Sequence, residues 1–422
     1  MQNATLWRAL LGVEKTVVDD IEFDEDAQLL MAHVRPRARA RARGRCGRCQ
    51  RRAPAYDRGE GRRRWRALDL GTVQVVLEAD APRVNCVEHG PTVAALPWAR
   101  HAAGHTLVFD EQVAWLATQC SKSAVTELMR IAWRTVGAII TRVWADVEAL
   151  HDRFADLSRI GIDEISYKRG HRYLTVVVDH DSGRLVWAAP GRDKATLAGF
   201  FDALGLDRCA QITHVSADGA DWISTVVEQR CPNAVRCADP FHVVGWATDA
   251  LDEVRRQAWN EARGAVSQRR AGRASGHAKA LKHARYALWK NPEHLTIRQQ
   301  AKLAWVAKTD PRLHRAYLLK EGLRLVFQLP YDEAVDALEV WIGWARRCRI
   351  PAFVDLQRRI VKHEASILAA IEHGLSNGRI ESVNTKIRLI TRVAFGFKSP
   401  EALIALAMLN LGGHRPVLPG RK

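Results

Sequence analysis

The chain contains 422 residues, which is too long for one ordinary hydrophobic core and predicts several domains. Lys and Arg number 64 against 47 Asp and Glu, and the resulting net charge of +17 predicts a polyanionic partner, in the first place nucleic acid. A membrane surface is the weaker alternative, because no apolar run approaches the about 20 residues of a membrane-spanning helix and no signal-peptide pattern begins the chain. A soluble, cytoplasmic protein is therefore expected.

The N-terminal segment, residues 1–34, contains a predicted pair of strands. From Arg35 to Arg66 the charge is extreme, with 14 Arg against two acidic residues. The run Arg35–Arg45 alternates Arg with mostly Ala, so a strand there would present arginine on one face, as a DNA-contacting surface requires. The alternative is a low-complexity stretch of solvated charge, since blocks of like charge are usually disordered.

Four metal-ligating residues fall within and just after this basic segment. Cys46, Cys49, Cys86 and His89 form a Cys-x2-Cys pair and a Cys-x2-His pair, whose ligand types suit tetrahedral Zn²⁺. The long spacing between the pairs is compatible with zinc because Trp65–Leu77 is a plausible intervening hairpin. Protein side chains fill all four positions, so the predicted zinc is structural; an unmetallated site is the alternative.

Helical periodicity follows from Phe109 to Leu150, broken by Ser121-Lys-Ser123 and again before Trp133. Three short helices with this punctuation predict a helix-turn-helix unit that binds DNA. Trp133, Arg134 and Thr135 would begin its recognition helix. The alternative is an ordinary helical linker that packs against the next domain.

Strands and helices alternate from Leu157 to Cys237 in the order β, β, β, α, β, α, β, which is the order of a ribonuclease H-like core. In that order the first and fourth strands are adjacent and parallel. Asp163 follows the first of these strands and Asp218 follows the fourth, so the two carboxylates should converge. Residues 250–372 then have the helical periodicity of an insertion, and Glu381 opens a helix beyond it.

Three acids brought together in a basic chain suit metal-dependent phosphoryl transfer. Mg²⁺ or Mn²⁺ takes oxygen ligands, and two such ions can activate the attacking oxygen and stabilise the leaving oxygen of an in-line displacement. The sequence therefore predicts catalysis by Asp163, Asp218 and Glu381, with Glu164 and Asp221 as neighbours rather than ligands.

The chain resembles the ISL3 family of insertion-sequence transposases over nearly its whole length. The resemblance rests on the two zinc-ligand pairs and on four further motifs: Gly161-Ile-Asp-Glu-Ile165, Asp239-Pro-Phe-His242, Ile380-Glu-Ser-Val-Asn-Thr-Lys-Ile-Arg388 and Thr391-Arg-Val-Ala-Phe-Gly396. It implies a DDE enzyme with Asp163 as the first catalytic acid and Glu381 as the third. His89 departs from the family, which usually has a fourth cysteine there, although histidine is also a good zinc ligand.

The second acid is open between two candidates. Asp218 ends the fourth strand, where ribonuclease H-like enzymes carry this acid, and it is favoured. Asp239 belongs to an Asp-x2-His pattern, and with His242 it would support the site from behind the metal ligands, or His242 would contact the scissile phosphate. Each aspartate could instead have only a structural role, Asp218 as a helix cap and Asp239 as a turn residue before Pro240.

The predicted architecture is multidomain α+β: an N-terminal zinc-binding segment, a helix-turn-helix, and a ribonuclease H-like α/β catalytic core interrupted by an all-α insertion. The expected divisions are 1–100 (zinc-binding), 105–150 (helix-turn-helix), 155–249 (first part of the core), 250–372 (helical insertion) and 373–422 (completion of the core). Arg379, Lys386 and Arg388 are expected phosphate contacts, although a solvated basic face would explain them equally well.

The resemblance implies transposition: binding of terminal inverted repeats in double-stranded DNA, release of 3′-OH ends and strand transfer into target DNA, carried out by a homodimer with Mg²⁺ or Mn²⁺ and structural Zn²⁺. A domesticated DNA-binding regulator without catalysis is the alternative, and the intact acids disfavour it. A stand-alone ribonuclease H-like nuclease would leave two DNA-binding modules unexplained.

Overall fold

The computed structural model describes residues 3–37, 44–268 and 271–421 and has the expected α+β architecture. The chain divides into two compact units, one formed by Met1–Asp152 with Ile390–Lys422 and the other by Arg153–Leu389. Most of the alternating arginine run lies outside the described residues, so its predicted strand stays a prediction there. None of the helices in the described part of the chain is both long and apolar enough to span a bilayer.

The first unit begins with β-structure. Its elements are α1 (Asn3–Leu10), β1 (Thr16–Asp24), β2 (Leu29–Pro36), β3 (Ala55–Asp57), β4 (Arg62–Leu70), β5 (Val73–Asp80), β6 (Arg83–Cys86) and β7 (Gly90–Val93). They form two sheets, with strand orders β1-β2-β5-β4 and β3-β6-β7. The predicted strand pair is β1 with β2 and the predicted hairpin is β4 with β5, whereas the sequence analysis missed α1. Trp65 and Trp98 pack edge to face in the core of the larger sheet, with ring centroids 5.6 Å apart.

The same unit continues into the predicted run of three helices, α2 (Leu107–Gln119), α3 (Lys122–Met129) and α4 (Trp133–Leu150). Side-chain oxygens of Thr106 and Ser121 cap the first two by accepting backbone N–H groups in their first turns. Arg130 ends α3 in the left-handed conformation at φ 52°, which makes the turn into α4 tight.

The second unit contains the mixed sheet that positions the predicted acids. Its elements are β8 (Arg159–Lys168), β9 (Arg172–Asp179), β10 (Leu185–Pro190), α5 (Lys194–Leu204), α6 (Leu206–Cys209), β11 (His214–Ala217), α7 (Asp221–Arg230) and β12 (Val235–Ala238). The strand order is β10-β9-β8-β11-β12. β8 pairs with β11 in parallel and β11 with β12 in parallel, because α5 and α7 cross over between successive parallel strands. The first and fourth strands of this region are therefore adjacent and parallel, as predicted.

The two faces of this sheet have different partners, as strand alternation requires. Ile160 and Ile162 of β8 and Val215 and Ala217 of β11 join the apolar cluster that includes residues of α5 and α7. The intervening positions on each strand face the opposite side, which is covered by later helices of the chain.

Those later helices are α8 (Pro240–Gln268), α9 (Ala271–Lys282), α10 (Arg285–Trp289), α11 (Ile297–Thr309), α12 (Pro311–Val326), α13 (Tyr331–Arg347), α14 (Pro351–Lys362), α15 (Glu364–Glu372), α16 (Gly378–Val393) and α17 (Pro400–Leu411), with a 3₁₀ turn at Pro292–His294. Residues from α8 to α15 share one apolar core. The predicted helix from Phe353 to Glu372 is broken at His363 into α14 and α15. In the first unit, α17 packs against α4.

Candidate active site and zinc site

The four predicted zinc ligands come together. All ligand atoms of Cys46, Cys49, Cys86 and His89 lie within 4.8 Å of one another. Neighbouring atoms are 3.6 to 3.8 Å apart, measured between the Cys49 and Cys86 sulfurs and from His89 Nδ1 to Cys46 and Cys86 sulfurs. Tetrahedral zinc with ordinary Zn–S and Zn–N bonds needs about 3.6 to 3.8 Å between its ligand atoms, so the cluster fits the metal.

The fold explains how residues so far apart in sequence meet at this cluster. Cys86 ends β6, and β6 pairs with β7 so that Cys86 lies opposite Gly90 and the chain turns back through His89. Cys46 makes an isolated bridge with Ala94. A hydrogen bond with His89 lowers the pKa of the Cys86 thiol to about 6, although burial acts in the opposite direction. The lowered pKa favours the thiolate that a metal requires.

Asp163 and Asp218 lie on neighbouring strands of the sheet, Asp163 within β8, which continues to Lys168, and Asp218 directly after β11. Ala217 pairs in parallel with Ile162, and an aspartate directly follows each of these two residues, Asp218 after Ala217 and Asp163 after Ile162. Neighbouring strands are about 4.8 Å apart, which brings the two carboxylates within reach of shared ions. Asp163 Oδ1 accepts the Glu164 N–H at 2.7 Å, and Asp218 Oδ1 accepts the Gly219 N–H at 2.5 Å.

The pKa of Asp163 records this crowding. Burial raises its pKa, and the charges of Asp218 and Asp239 raise it further, whereas the Glu164 N–H and the nearby His242 oppose the shift. Clustered carboxylates repel one another without a cation, and a divalent ion relieves that repulsion. The electrostatics therefore fit a metal site.

Asp239 is held differently from Asp218. Its side chain is buried, and its oxygens accept the backbone N–H groups of Phe241, His242 and Asn377 and the Nδ1 of His242, the last at 2.7 Å. Burial pushes the pKa of Asp239 up, but these hydrogen bonds outweigh it and the pKa is lowered. The bond to Asp239 raises the pKa of His242 to about 9, so the pair is ionised at neutral pH.

Glu381 lies in the first turn of α16, a helix that packs over the acids through other residues. Asn377, four residues before Glu381, directly precedes the helix, and Asn384 follows Glu381 by three residues. Asn384 Nδ2 donates to Asp163 Oδ2 at 2.7 Å, and the Asn377 N–H donates to Asp239 Oδ1 at 3.2 Å. Glu381 is itself exposed to solvent.

Two neighbouring acids form ion pairs with basic side chains. Glu164 forms an ion pair with Arg192 at 2.9 Å, and Asp221 forms one with Lys362 at 2.8 Å.

The predicted DNA contacts have mixed environments. Arg134 is exposed at the start of α4, whereas the Trp133 ring is covered by the ammonium group of Lys122, 3.5 Å from its centroid. Thr135 is half-buried in the same turn. On α16, Lys386 and Arg388 are exposed, while Arg379 donates to the carbonyl oxygens of His180 and Asp181.

Comparison with known proteins adds to this geometry. Residues 160–407 match the family model of ISL3 DDE enzymes, described as "Transposase", residues 94–144 match the "Helix-turn-helix domain of transposase family ISL3", and residues 42–89 match the "zinc-finger of transposase IS204/IS1001/IS1096/IS1165". The chain belongs to the ISL3 family of transposases. The resemblance drawn from the sequence motifs is thereby confirmed.

The curated relatives of this transposase are full-length matches. The transposase for insertion sequence element IS1557 of Mycobacterium tuberculosis, from strains CDC 1551 / Oshkosh and ATCC 25618 / H37Rv, is 66% identical over 440 residues, covering 100% of this chain and 98% of the relative. The transposase for IS1001 of Bordetella parapertussis is 26% identical over 409 residues, covering 95% of this chain and 96% of the relative. Nothing in these comparisons supports the alternative of a non-catalytic regulator.

As a DDE transposase, the protein cuts and joins DNA with divalent metal, and it carries a DNA-binding helix-turn-helix and a zinc ribbon. The sequence did not indicate a role for the polar residues around the acids, among them Asn377, Asn384, Ser216 and His180. Asn384 could have been noticed because it lies three residues after Glu381, but its partner Asp163 could not have been deduced.

Proposed function

We propose that Asp163, Asp218 and Glu381 are the catalytic acids of this transposase and hold two Mg²⁺ or Mn²⁺ ions. The observation that carries the proposal is the parallel register of β8 and β11, which makes Asp163 and Asp218 neighbours, together with the hydrogen bond from the Glu381 helix to Asp163. When bound, the ions would activate the attacking oxygen and stabilise the leaving oxygen.

Asp218 is the better second acid because its carboxylate is more available. Among the described contacts, Asp218 accepts one hydrogen bond, from a backbone N–H, whereas Asp239 is buried and accepts four, one of them from the imidazole of His242. Asp239 in this proposal orients His242 and caps the start of α8. The charged imidazole of His242, partly exposed beside the acids, is placed to contact the phosphate being cut.

The reaction consists of two displacements at phosphorus. In the first, water attacks the phosphate at the transposon end, a P–O bond forms, the P–O3′ bond breaks, and a free 3′-OH remains. In the second, that 3′-OH attacks a target phosphate and displaces the target 3′ oxygen, so one phosphodiester replaces another. Carboxylates in fixed positions and a nearby imidazolium are what such steps require from the protein.

DNA recognition is assigned to the first unit. We propose that α4 is the recognition helix for the terminal inverted repeats, with Arg134 as the exposed contact of its predicted trio, and that zinc at the Cys46 cluster is structural. Trp133 would support the helix through Lys122 rather than read bases. Arg379, Lys386 and Arg388 would neutralise DNA phosphates near Glu381, Arg379 also fixing the turn after β9.

The remaining parts of the proposal concern architecture. The sheet order and crossovers of Arg153–Leu389 support a ribonuclease H-like core with an all-α insertion. The division into 1–100, 105–150, 155–249, 250–372 and 373–422 is proposed as well. Two transposon ends are processed together, which favours a homodimer as the working form.

Excision from a plasmid carrying the inverted repeats tests the catalytic proposal. Asp163→Asn, Asp218→Asn and Glu381→Gln should each lower excision by at least about a thousandfold, because each removes a ligand charge from the site. Asp239→Asn should lower it by about 10- to 100-fold, as expected for a group that acts through a neighbour. Asp221→Asn, which changes an exposed acid at the start of α7 that is paired with Lys362, is the matched control and should excise normally.

Binding of the inverted repeat, measured in parallel, should be unchanged in all of these variants. Undiminished excision by Asp163→Asn would refute the catalytic assignment and leave a DNA-binding protein. Retained excision by Asp218→Asn with complete loss in Asp239→Asn would transfer the second role to Asp239.

A further inference from the structure

Two buried asparagines flank Glu381 on α16. Asn377 is 1% exposed and Asn384 is 2% exposed, and they are seven residues apart. Asn377 directly precedes α16, and Asn384 lies three residues after Glu381 within it. A helix turns by about 100° per residue, so Glu381 and Asn384 point about 60° apart, which places the exposed Glu381 at the border of the buried face that carries Asn384.

The first contact fixes the Asp163 carboxylate. Asn384 Nδ2 donates to Asp163 Oδ2 at 2.7 Å, while Asp163 Oδ1 accepts the Glu164 N–H, so both oxygens are held in place. The amide cannot be reversed without bringing its oxygen against a carboxylate. Its Oδ1 is buried with no hydrogen-bond partner among the described residues. A buried polar atom left unpaired destabilises the folded state, so stability alone does not explain an asparagine at this position.

The second contact fixes the start of the helix. Ser216 Oγ donates to Asn377 Oδ1 at 2.6 Å, and His180 Nε2 lies 2.7 Å from the same hydroxyl. Because Ser216 donates its hydroxyl proton to Asn377 Oδ1, its oxygen must accept the hydrogen bond with His180, and His180 Nε2–H is the donor. The backbone N–H of Asn377 meanwhile donates to Asp239. The N-terminus of α16 is thus bonded to strand β11 and to the residue that follows β12.

Strand alternation explains why these contacts and the acids coincide. Gly161, Ser216 and Cys237 are each two residues before one of the three aspartates, so each shares a sheet face with its aspartate. All three are small, which lets helices approach closely: Ile380 covers Gly161, Asn377 reaches Ser216, and Cys237 packs with Leu375.

We propose that Asn377 and Asn384 are positioning residues that set the rotation and register of α16, so that Glu381 faces Asp163 and Asp218. A shift of one residue along the helix would turn Glu381 away by about 100° and break both amide contacts. Asn384 in addition holds Asp163 in one rotamer before metal binds. This inference rests on the proposed function, since it presumes that the three acids share metal.

The affinity of the zinc-loaded protein for Mn²⁺, followed by the electron paramagnetic resonance of free Mn²⁺, tests the inference without relying on catalysis. Asn384→Ala should weaken Mn²⁺ binding by about 10- to 100-fold, as loss of a group that orients a ligand does elsewhere. Excision should fall by a similar factor and recover in part at high Mn²⁺ concentration. Binding of the inverted repeat should stay within about twofold of wild type.

Thr385→Ala is the matched control, because Thr385 is the exposed neighbour of Asn384 on the same helix. Asn377→Ala tests the other anchor independently and should weaken Mn²⁺ binding as well. If Asn384→Ala fails to fold, Asn384→Ser retains a small polar side chain that cannot reach Asp163 and should show the same loss.

The results separate this inference from the proposed function. Wild-type Mn²⁺ affinity and excision in Asn384→Ala and Asn377→Ala, with both lost in Glu381→Gln, would overturn the positioning role and leave the catalytic acids standing. Wild-type Mn²⁺ affinity in Asp163→Asn and Glu381→Gln would overturn the catalytic acids themselves.

Discussion

Gly161→Ala tests whether the close approach of α16 to β8 matters for catalysis. A methyl group at this position would lie 2.7 Å from Ile380 Cγ1, closer still to Ile380 Cδ1, and 2.9 Å from His180 Nε2. Ordinary contact begins at 3.4 Å, so the helix or the side chain must move by about 0.7 Å or more. Ile380 is fully buried and β-branched, which leaves it little freedom to rotate away.

Two effects of different size follow from this overlap. Overpacking of a tight core should lower the free energy of unfolding by about 1 to 3 kcal/mol. A misplacement of about 1 Å at reacting groups can cost about a hundredfold in rate, so excision should fall by about 10- to 100-fold. Adding Ile380→Val removes the closest methyl group and should recover part of both losses.

The assay is excision at saturating metal, with thermal unfolding and inverted-repeat binding measured on the same samples. Gly199→Ala is the control, since Gly199 is exposed in α5 and a methyl group there meets nothing within 4 Å. That control should be stabilised by about 0.5 to 1 kcal/mol and excise normally. Wild-type excision and stability in Gly161→Ala would refute the reasoning that α16 must lie directly on β8.

Three further predictions concern titratable and metal-binding groups. Burial lowers the pKa of Lys122 from 10.5 to about 8, so the unfolding free energy of Lys122→Met relative to wild type should be highest below pH 8 and should fall between pH 8 and 10.5 in chemical denaturation. The pKa of His242 is raised from 6.5 to about 9, so the stability that His242→Gln removes should be fully present below pH 6.5 and lost as pH rises through 9. Cys86→Ser should abolish bound zinc, measured by atomic absorption, and weaken inverted-repeat binding.

Each of these predictions has its own control and its own contrary outcome. Lys308→Met, at the end of α11, is the control for Lys122→Met, and equal effects of the two substitutions would contradict the role of burial. A stability difference for His242→Gln that does not change between pH 6 and 9 would show that the ion pair with Asp239 is absent. Cys120→Ser changes a thiol outside the cluster and should keep full zinc content, and full zinc content in Cys86→Ser would contradict the site.

The sequence was most informative where chemistry and local periodicity agree. Short apolar runs ending in Asp163 and Asp218 predicted two strands that bring these acids together. Parallel pairing makes the residues before them neighbours, although β8 does not end at Asp163 but continues to Lys168. Cysteine and histidine spacing predicted the cluster around Cys86, since few other patterns bring such ligands together. The ligand pairs depend on residues close together in the sequence, and the pairing of the two strands depends only on the general rule that a crossover connection makes neighbouring strands parallel.

What the sequence could not supply depends on three-dimensional register. Asn384 reads as an ordinary polar residue inside an amphipathic helix until the helix is seen to lie over Asp163. Ser216 is one polar residue in a buried strand, and its partner is 161 residues away. The break of the long predicted helix at His363 likewise could not be predicted, because no proline or glycine occurs there to interrupt the helical pattern.

The anomalous scattering of Mn²⁺ in crystals of the transposase bound to its inverted repeat would show directly which acids hold the metal. We expect Mn²⁺ peaks within about 2.2 Å of carboxylate oxygens from Asp163, Asp218 and Glu381, with Asp239 still bonded to His242. Peaks ligated by Asp163 and Asp239 while Glu381 points into solvent would refute the assignment of the three acids.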